Sequence, residues 1–211
     1  MINWQEVQHR ATQLLSEYLA IPSINPPGDV LSAANFLAKH LEESGLTPQY
    51  FHSQPKRVNL LARLPGNGQK KPVLLYNHMD VVEVDRTRWT CDPFGGEVKE
   101  GYIYGRGAID MKGMGIMQLV ALDLLRRFHP ERSRDIIFYA APDEETGGEF
   151  GAKWMIDNHW EALQPEFVWD EGGFGFRELF GASPVFMVAL AEKKTLWLKL
   201  IAHGQPGQSG M

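Results

Sequence analysis

The sequence has one cysteine, no excess of positive charge and no long hydrophobic run. Because Cys91 is the single cysteine, neither an internal disulfide framework nor a cysteine-rich zinc site can form, and the cytoplasm is the expected compartment. The formal net charge is −5 and the basic residues are scattered, which argues against a nucleic-acid-binding protein. No segment approaches the run of about 18 apolar residues that a membrane helix needs, and the first residues do not read as a secretory signal.

The apolar residues of the chain follow helical and strand-like spacings in alternation. The 211 residues are 44% hydrophobic and 22% charged, a composition typical of a globular protein with a real core. The spacing predicts helices over 4–20, 30–43, 110–128 and 149–159, and strands over 59–64, 73–77, 135–141 and 167–169. Such alternation predicts an α/β domain over residues 1–183, with a mostly parallel sheet flanked by helices.

The alternation of predicted strands and helices ends near residue 184. Residues 185–190 and 195–201 predict two consecutive antiparallel strands joined by a charged turn. We interpret 184–211 as the beginning of a second, α+β domain.

Three predicted strands end in side chains that bind metal ions well. These side chains are His78 and Asp80 after 73–77, Glu144 and Glu145 after 135–141, and Asp170 and Glu171 after 167–169. In an open parallel sheet, ligands bind in the crevice outside the carboxyl ends of the strands. We therefore expect the three endings to converge on one site.

Each of these signals is ambiguous when it is taken alone. His78 and Asp80 fit a metal ligand and the carboxylate that orients it, or a hydrogen-bonded loop pair. Asp110, at the start of a predicted helix, fits an N-cap or a carboxylate bridging two cations. Adjacent acidic residues such as Glu144 and Glu145 repel unless a cation or proton separates them, or else form a solvated loop. Taken together, one imidazole and several carboxylates without a thiolate are the ligands expected of a hydrolytic zinc pair.

Five motifs carry a resemblance to a known family. They are IPSINPPG at 21–28, HMDVV at 78–82, GRGAIDMKG at 105–113, PDEETGG at 142–148 and DEGG at 170–173. In this order they resemble the aminoacylase and carboxypeptidase family of dinuclear zinc peptidases, which includes acetylornithine deacetylase and succinyl-diaminopimelate desuccinylase. The resemblance covers nearly the whole chain and implies the catalytic domain of that family, followed by the start of its lid domain.

The resemblance also implies a role for each candidate residue. The implied metal ligands are His78, Asp110, Glu145 and Glu171, with Asp110 bridging two zinc ions and Asp170 as second choice for Glu171. Asp80 would orient His78, and Glu144 would be the general base. The implied reaction is attack of metal-bound hydroxide on the amide carbonyl of a small N-acyl amino acid or short peptide. Cobalt or manganese would fit the same ligands, and a homodimer through the lid domain is implied.

Two departures from the family pattern bear on activity. The family has a further metal-binding histidine beyond the lid, and the remaining histidines of this chain do not match its position. His203 is displaced from it, and the others are expected on the surface: His9, His40, His52, His129 and His159. Gln208 stands where relatives carry a histidine that stabilises the oxyanion, and a neutral donor there is weaker.

These departures leave more than one functional hypothesis. The main one is an incomplete hydrolase chain, weakly active or inactive alone. The alternatives are a non-catalytic remnant that binds metal or a partner, and a single-metal site.

Overall fold

The chain forms two compact units, Met1–Glu171 and Gly172–Met211. The computed structural model describes residues 1–172, 175–179, 181, 183–187, 198–201 and 203–204. Gln208 and residues 188–190 and 195–197 of the predicted strand pair lie outside these residues. The expected domain boundary after residue 183 stays a prediction.

Four α-helices form in the first unit, as the apolar periodicity predicts. They are α1 (Trp4–Leu19), α2 (Leu31–Glu43), α3 (Lys112–Phe128) and α4 (Ala152–Leu163). The side chain of Asn3 caps α1 by accepting a hydrogen bond from the Gln5 N–H. Gly45, at φ 73°, lies two residues beyond the end of α2 and allows the chain to turn away. The largest difference from the prediction is in α4, which begins three residues later and ends four residues later.

A five-stranded sheet lies at the centre of the first unit. The strands of this unit are β1 (Gln49–Gln54), β2 (Arg57–Leu64), β3 (Val73–His78), β4 (Glu97–Lys99), β5 (Tyr102–Tyr104), β6 (Ile136–Ala141) and β7 (Phe167–Trp169). The central sheet has the order β1-β2-β6-β3-β7, while β4 and β5 form a separate antiparallel pair. Strand β2 is antiparallel to both neighbours, and β3 is parallel to β6 and β7. Four of the five strands therefore run in one direction, which confirms the predicted mostly parallel sheet.

Helices cover both faces of the sheet. On one face, α1, α2 and α3 pack against residues such as Leu60 and Phe138. On the other face, Met155 and Leu163 of α4 pack against Ile137 and neighbouring side chains. The central strand β6 is buried from Ile137 to Ala141, as its continuous apolar run predicts.

Strand β7 corrects one expectation. The apolar run Phe167–Trp169 predicts a buried strand, but its three side chains are 54–64% exposed. The reason is its position: β7 is the edge of the described sheet and pairs with β3 over only three residues.

His40 corrects a second expectation. Its side chain was expected on the surface but is buried, since it packs against Phe36 at 4.7 Å between ring centroids. Its Nδ1 lies 2.8 Å from a carboxylate oxygen of Glu43, one turn later in α2. His9, His52 and His129 are exposed as expected, and His159 is half-buried.

The second unit contains one short antiparallel pair among its described residues. Strand β8 (Gly175–Phe176) pairs with β9 (Val185–Phe186). The predicted strand at 185–190 is thus found over its first two residues. Residues 198–201, in the second predicted strand, are not in a strand. Within the described parts of both units, no helix is long and apolar enough to cross a membrane.

Candidate metal centre

The strand register brings three chain segments to one point. In the parallel pair of β3 and β6, His78 lies opposite Ala141, so residues 78–80 and 143–145 leave the sheet side by side. On the other side of β3, Leu75 lies opposite Trp169, and the chain continues directly into Asp170 and Glu171. Because all three strands are parallel, their carboxyl ends form one edge, as the sequence predicts.

Three candidate ligands meet at this edge. His78 is fully buried, and its Nε2 lies 3.0 Å from Oδ1 of Asp110 and 3.5 Å from Oε1 of Glu171. The ligand atoms of the three residues all lie within 4.8 Å of one another. One imidazole and two carboxylates at this spacing are a suitable ligand set for a divalent ion such as zinc.

The structure decides between the two interpretations of Asp110. The N-cap position of α3 is occupied by Met111, and no side chain caps this helix. The carboxylate of Asp110 instead faces His78. Its segment is anchored by the buried Lys112, whose Nζ donates hydrogen bonds to the carbonyl oxygens of Tyr18 (3.2 Å) and Ile21 (2.7 Å). The capping interpretation is therefore wrong, and Asp110 is available to a cation.

Asp80 lies directly behind His78. The Nδ1–H of His78 donates to the Asp80 carbonyl oxygen at 2.9 Å, and the nearer carboxylate oxygen is at 3.3 Å. Since a carbonyl oxygen can only accept, Nδ1 carries the proton and Nε2 faces the carboxylates. The Asp80 carboxylate, itself fully buried, also accepts the backbone N–H groups of Glu144 (3.1 Å) and Glu145 (3.2 Å). This geometry matches an orienting role for Asp80.

The two acidic residues after β6, Glu144 and Glu145, both lie outside the cluster of three candidate ligands. Glu144 Oε2 lies 3.8 Å from His78 Nε2. Glu145, expected as a ligand, is not in the three-residue cluster. After β7, Glu171 rather than Asp170 reaches His78. Oδ1 of Asp170 accepts the N–H of Glu171 at 2.7 Å.

Crowding of negative charge perturbs the pKa values of these groups. Burial, with the carboxylates of Glu171 and Asp80, raises the pKa of Glu144. Burial and the nearby Asp110 raise the pKa of Glu145 to about 7. Burial opposes protonation of His78, but Asp80 and Glu171 outweigh it and raise its pKa to about 11. The site thus favours added positive charge, which a bound metal ion would supply.

Two residues at this site were not identified from the sequence. The side chain of Asn25 donates to the Asp80 carboxylate at 2.9 Å, and Arg57 donates to the side-chain oxygen of Asn25 at 3.2 Å. Asn25 lies in the motif IPSINPPG, but its contact with Asp80 joins residues 55 apart in the chain, and the sequence does not indicate it. Nothing in the sequence near Arg57 indicates its contact with Asn25.

Comparison with known proteins identifies the family. Residues 74–185 match peptidase family M20/M25/M40, and the chain belongs to this family. It is 34% identical to aminoacylase-1 of Sus scrofa over 206 residues, which are 96% of this chain and 49% of the relative. The chain thus spans about half the length of the curated relatives it matches.

Solved structures agree with this assignment. An M20 family metallo-carboxypeptidase from Sulfolobus solfataricus superposes with a TM-score of 0.66 at 25% identity, over 77% of this chain and 36% of that one. Human carnosine dipeptidase 1 has a TM-score of 0.65 at 23% identity, over 79% of this chain and 40% of that one. The family resemblance and the fold expected from the sequence are confirmed.

Proposed function

We propose that this site serves a metal-dependent hydrolase that cleaves an amide bond of a small N-acyl amino acid or a short peptide. The observation that carries the proposal is the convergence of His78, Asp110 and Glu171, with the buried Asp80 behind the imidazole. The similarity to an aminoacylase and to a metallo-carboxypeptidase supports this class of substrate.

The donor set fits a pair of zinc ions. His78, Asp110 and Glu171, which lie together, would hold the metal, with Glu145, outside this cluster, as a further ligand, and cobalt or manganese would fit the same ligands. When bound, such a pair supplies Lewis acidity that polarises the amide carbonyl and lowers the pKa of water. The number of carboxylates around one imidazole favours binding of multiply charged cations such as Zn²⁺.

Glu144 is the proposed general base. Its side chain is 43% exposed, so a water molecule and a substrate can reach it. Burial and neighbouring carboxylates raise its pKa, and a carboxylate whose pKa is raised is a stronger base for taking a proton from water and returning it to the leaving amine. Asp80 holds Nδ1–H of His78, so that Nε2 stays directed at the ligand cluster.

Zinc affinity and hydrolysis, measured on the same variants, test the proposal. We expect His78→Ala to lower Zn²⁺ affinity at least tenfold in competition with a chromophoric chelator. His52→Ala, which changes an exposed histidine on β1, is the control and should bind as the wild type does. We expect Glu144→Gln to keep zinc binding and to reduce any hydrolysis of N-acetyl amino acids and dipeptides by about 10²–10⁴-fold.

The outcomes separate the two functional classes. Equal zinc affinity of the wild type and His78→Ala would overturn the metal site. Zinc binding without hydrolysis is the result expected both of an incomplete hydrolase chain and of a non-catalytic protein that binds metal, whereas zinc-dependent hydrolysis lost in Glu144→Gln would exclude the non-catalytic alternative. A homodimer through the lid domain and a cytoplasmic location, suggested by the single cysteine, stay predictions.

A further inference from the structure

The loop 21–28 is attached to the chain segment that carries Asp80. Ile24 forms a parallel bridge with Val81, and the Asn25 N–H donates to the Val81 carbonyl oxygen at 2.9 Å. The Ser23 hydroxyl donates to the Met79 carbonyl oxygen at 2.6 Å. These bonds hold the backbone of Asn25 at a fixed distance from the candidate metal centre.

The side chain of Asn25 joins two parts of the site. It is 3% exposed, and its Nδ2 donates to Oδ2 of Asp80 and to the hydroxyl of Thr146, both at 2.9 Å. Thr146 closes the 3₁₀ turn that contains Glu144 and Glu145. One amide therefore contacts both the carboxylate behind His78 and the turn that carries the proposed general base.

Arg57 fixes the orientation of that amide. Its Nη2 donates to Oδ1 of Asn25 at 3.2 Å and to the Pro27 carbonyl oxygen at 3.0 Å. Its guanidinium lies over the ring of Phe150, 4.8 Å from the centroid. A guanidinium can only donate and a carboxylate can only accept, so the amide oxygen must face Arg57 and the amide nitrogen must face Asp80.

Gly28 makes room for this arrangement. A Cβ at this position would lie 2.7 Å from Cζ of Arg57 and 2.9 Å from Oδ1 of Asn25. Its φ of 78° is also unfavourable for residues with a side chain. Asn25 and Gly28 of the motif IPSINPPG thus belong to one contact network, which runs from Gly28 through Arg57 and Asn25 to Asp80.

We propose that Asn25, held by Arg57, is a positioning residue of the metal centre. It fixes the plane of the Asp80 carboxylate, through Asp80 the ring of His78, and through Thr146 the turn of Glu144. The inference deepens the proposed function and rests on it for the zinc readout. Partners behind a ligating histidine commonly change metal affinity by about 10–100-fold when they are mutated.

The test compares two buried asparagines. Asn25→Leu keeps a similar shape but removes the amide, and we expect it to lower Zn²⁺ affinity tenfold or more. Asn59→Leu is the matched control. Asn59 is also buried, donates to the carbonyl oxygens of Phe51 and Phe150 and accepts from the Tyr139 hydroxyl, without touching Asp80 or His78. We expect its zinc affinity to stay within twofold of the wild type.

A second readout needs no metal. The N–H groups of Glu144 and Glu145 donate to the Asp80 carboxylate, so loss of the Asn25 contact should speed their hydrogen exchange in metal-free protein, measured by NMR. In Asn59→Leu, the exchange rates of Glu144 and Glu145 should keep the same ratio as in the wild type to the exchange rate of the amides that open only by global unfolding. If the wild type fails to bind zinc, the proposed function fails, and this exchange measurement still tests the positioning role.

Arg57→Met is the second variant if Asn25→Leu does not fold. It frees the Asn25 amide to rotate, and we expect a smaller loss of zinc affinity, three- to tenfold. Zinc affinity and Glu145 exchange equal to wild type in the folded variants would overturn the inference.

Discussion

The stability of the loop 21–28 can be tested with two glycines whose φ angles are nearly identical. Gly28 has a φ of 78° and Gly68 a φ of 76°. No atom lies within 4 Å of a Cβ placed at Gly68, whereas at Gly28 the Cβ would displace Arg57 and Asn25. Gly68→Ala should therefore destabilise the chain only by the cost of a left-handed backbone. Gly28→Ala should have the same backbone cost and, in addition, lose the contact between Arg57 and Asn25.

The magnitudes follow from these contacts. A left-handed conformation costs an L-residue about 1–2 kcal/mol, which we expect as the whole effect of Gly68→Ala. Losing the hydrogen bond from the charged Arg57 to Asn25 adds about 1.5–3 kcal/mol at Gly28→Ala. For a chain of this size, about 1 kcal/mol corresponds to roughly 2–4 °C in melting temperature. The two variants should therefore differ by about 3–12 °C, the per-kilocalorie shift multiplied by the added loss.

Urea unfolding followed by circular dichroism measures both free energies. The linear extrapolation also reports the denaturant slope, which should be the same in both variants if only the native state is affected. A Gly28→Ala variant no less stable than Gly68→Ala would refute the reasoning, because the network would then tolerate displacement. We also expect Gly28→Ala, but not Gly68→Ala, to weaken zinc binding.

Three further predictions concern metal, the sheet edge and pH. Zinc at 100 times its dissociation constant should stabilise the chain by about 2.7 kcal/mol in a thermal melt, and EDTA or His78→Ala should remove this gain. Strand β7 lies at the edge of the described sheet with exposed apolar side chains, so we expect self-association through this edge. Val168→Lys places a charge there and should reduce that association in sedimentation velocity, while no change would show that the edge is not used. The third prediction concerns Asp135, whose pKa burial would raise. The hydrogen bond from the N–H of Gly66 and the guanidinium of Arg63 outweigh burial and lower this pKa. Because the folded pKa is depressed, this stabilisation is present above the unfolded value of about 3.9 and is lost as the pH falls through the folded value. Asp135→Asn should remove this acid dependence in urea unfolding between pH 5 and 3.

Local patterns predicted the helices and the buried strand well. The periodicity of α1 and the continuous apolar run of β6 depend on the residues themselves, and both elements form close to the expected bounds. Strand β1 was missed because it alternates between exposed and half-buried positions without an apolar run. The order of strands was not accessible, since β6 lies between β2 and β3 although it follows both in sequence.

The burial of a side chain depends on its neighbours in the fold, which a local sequence pattern does not predict. Phe167 and Trp169 have the composition of a buried strand, yet they are exposed because β7 lies at the edge of the described sheet. The sequence around His40 predicts an exposed position on a helix, yet the ring of Phe36 packs against its side chain. In both cases the sequence indicates the element correctly. The exposure of Phe167 and Trp169 follows from the position of β7 in the sheet, and the burial of His40 from a side-chain contact within α2.

The candidate site shows the same division between local and distant information. The positions of His78 and Glu144 at strand ends were predictable, because parallel strands end at one edge. Asn25 was not, because its contact with Asp80 joins residues 55 apart in the chain. The choice between Asp170 and Glu171 also required coordinates, since only the distance to His78 separates two adjacent acids. Motifs thus indicate which side chains can bind metal, whereas the register and the supporting hydrogen bonds determine which of them meet.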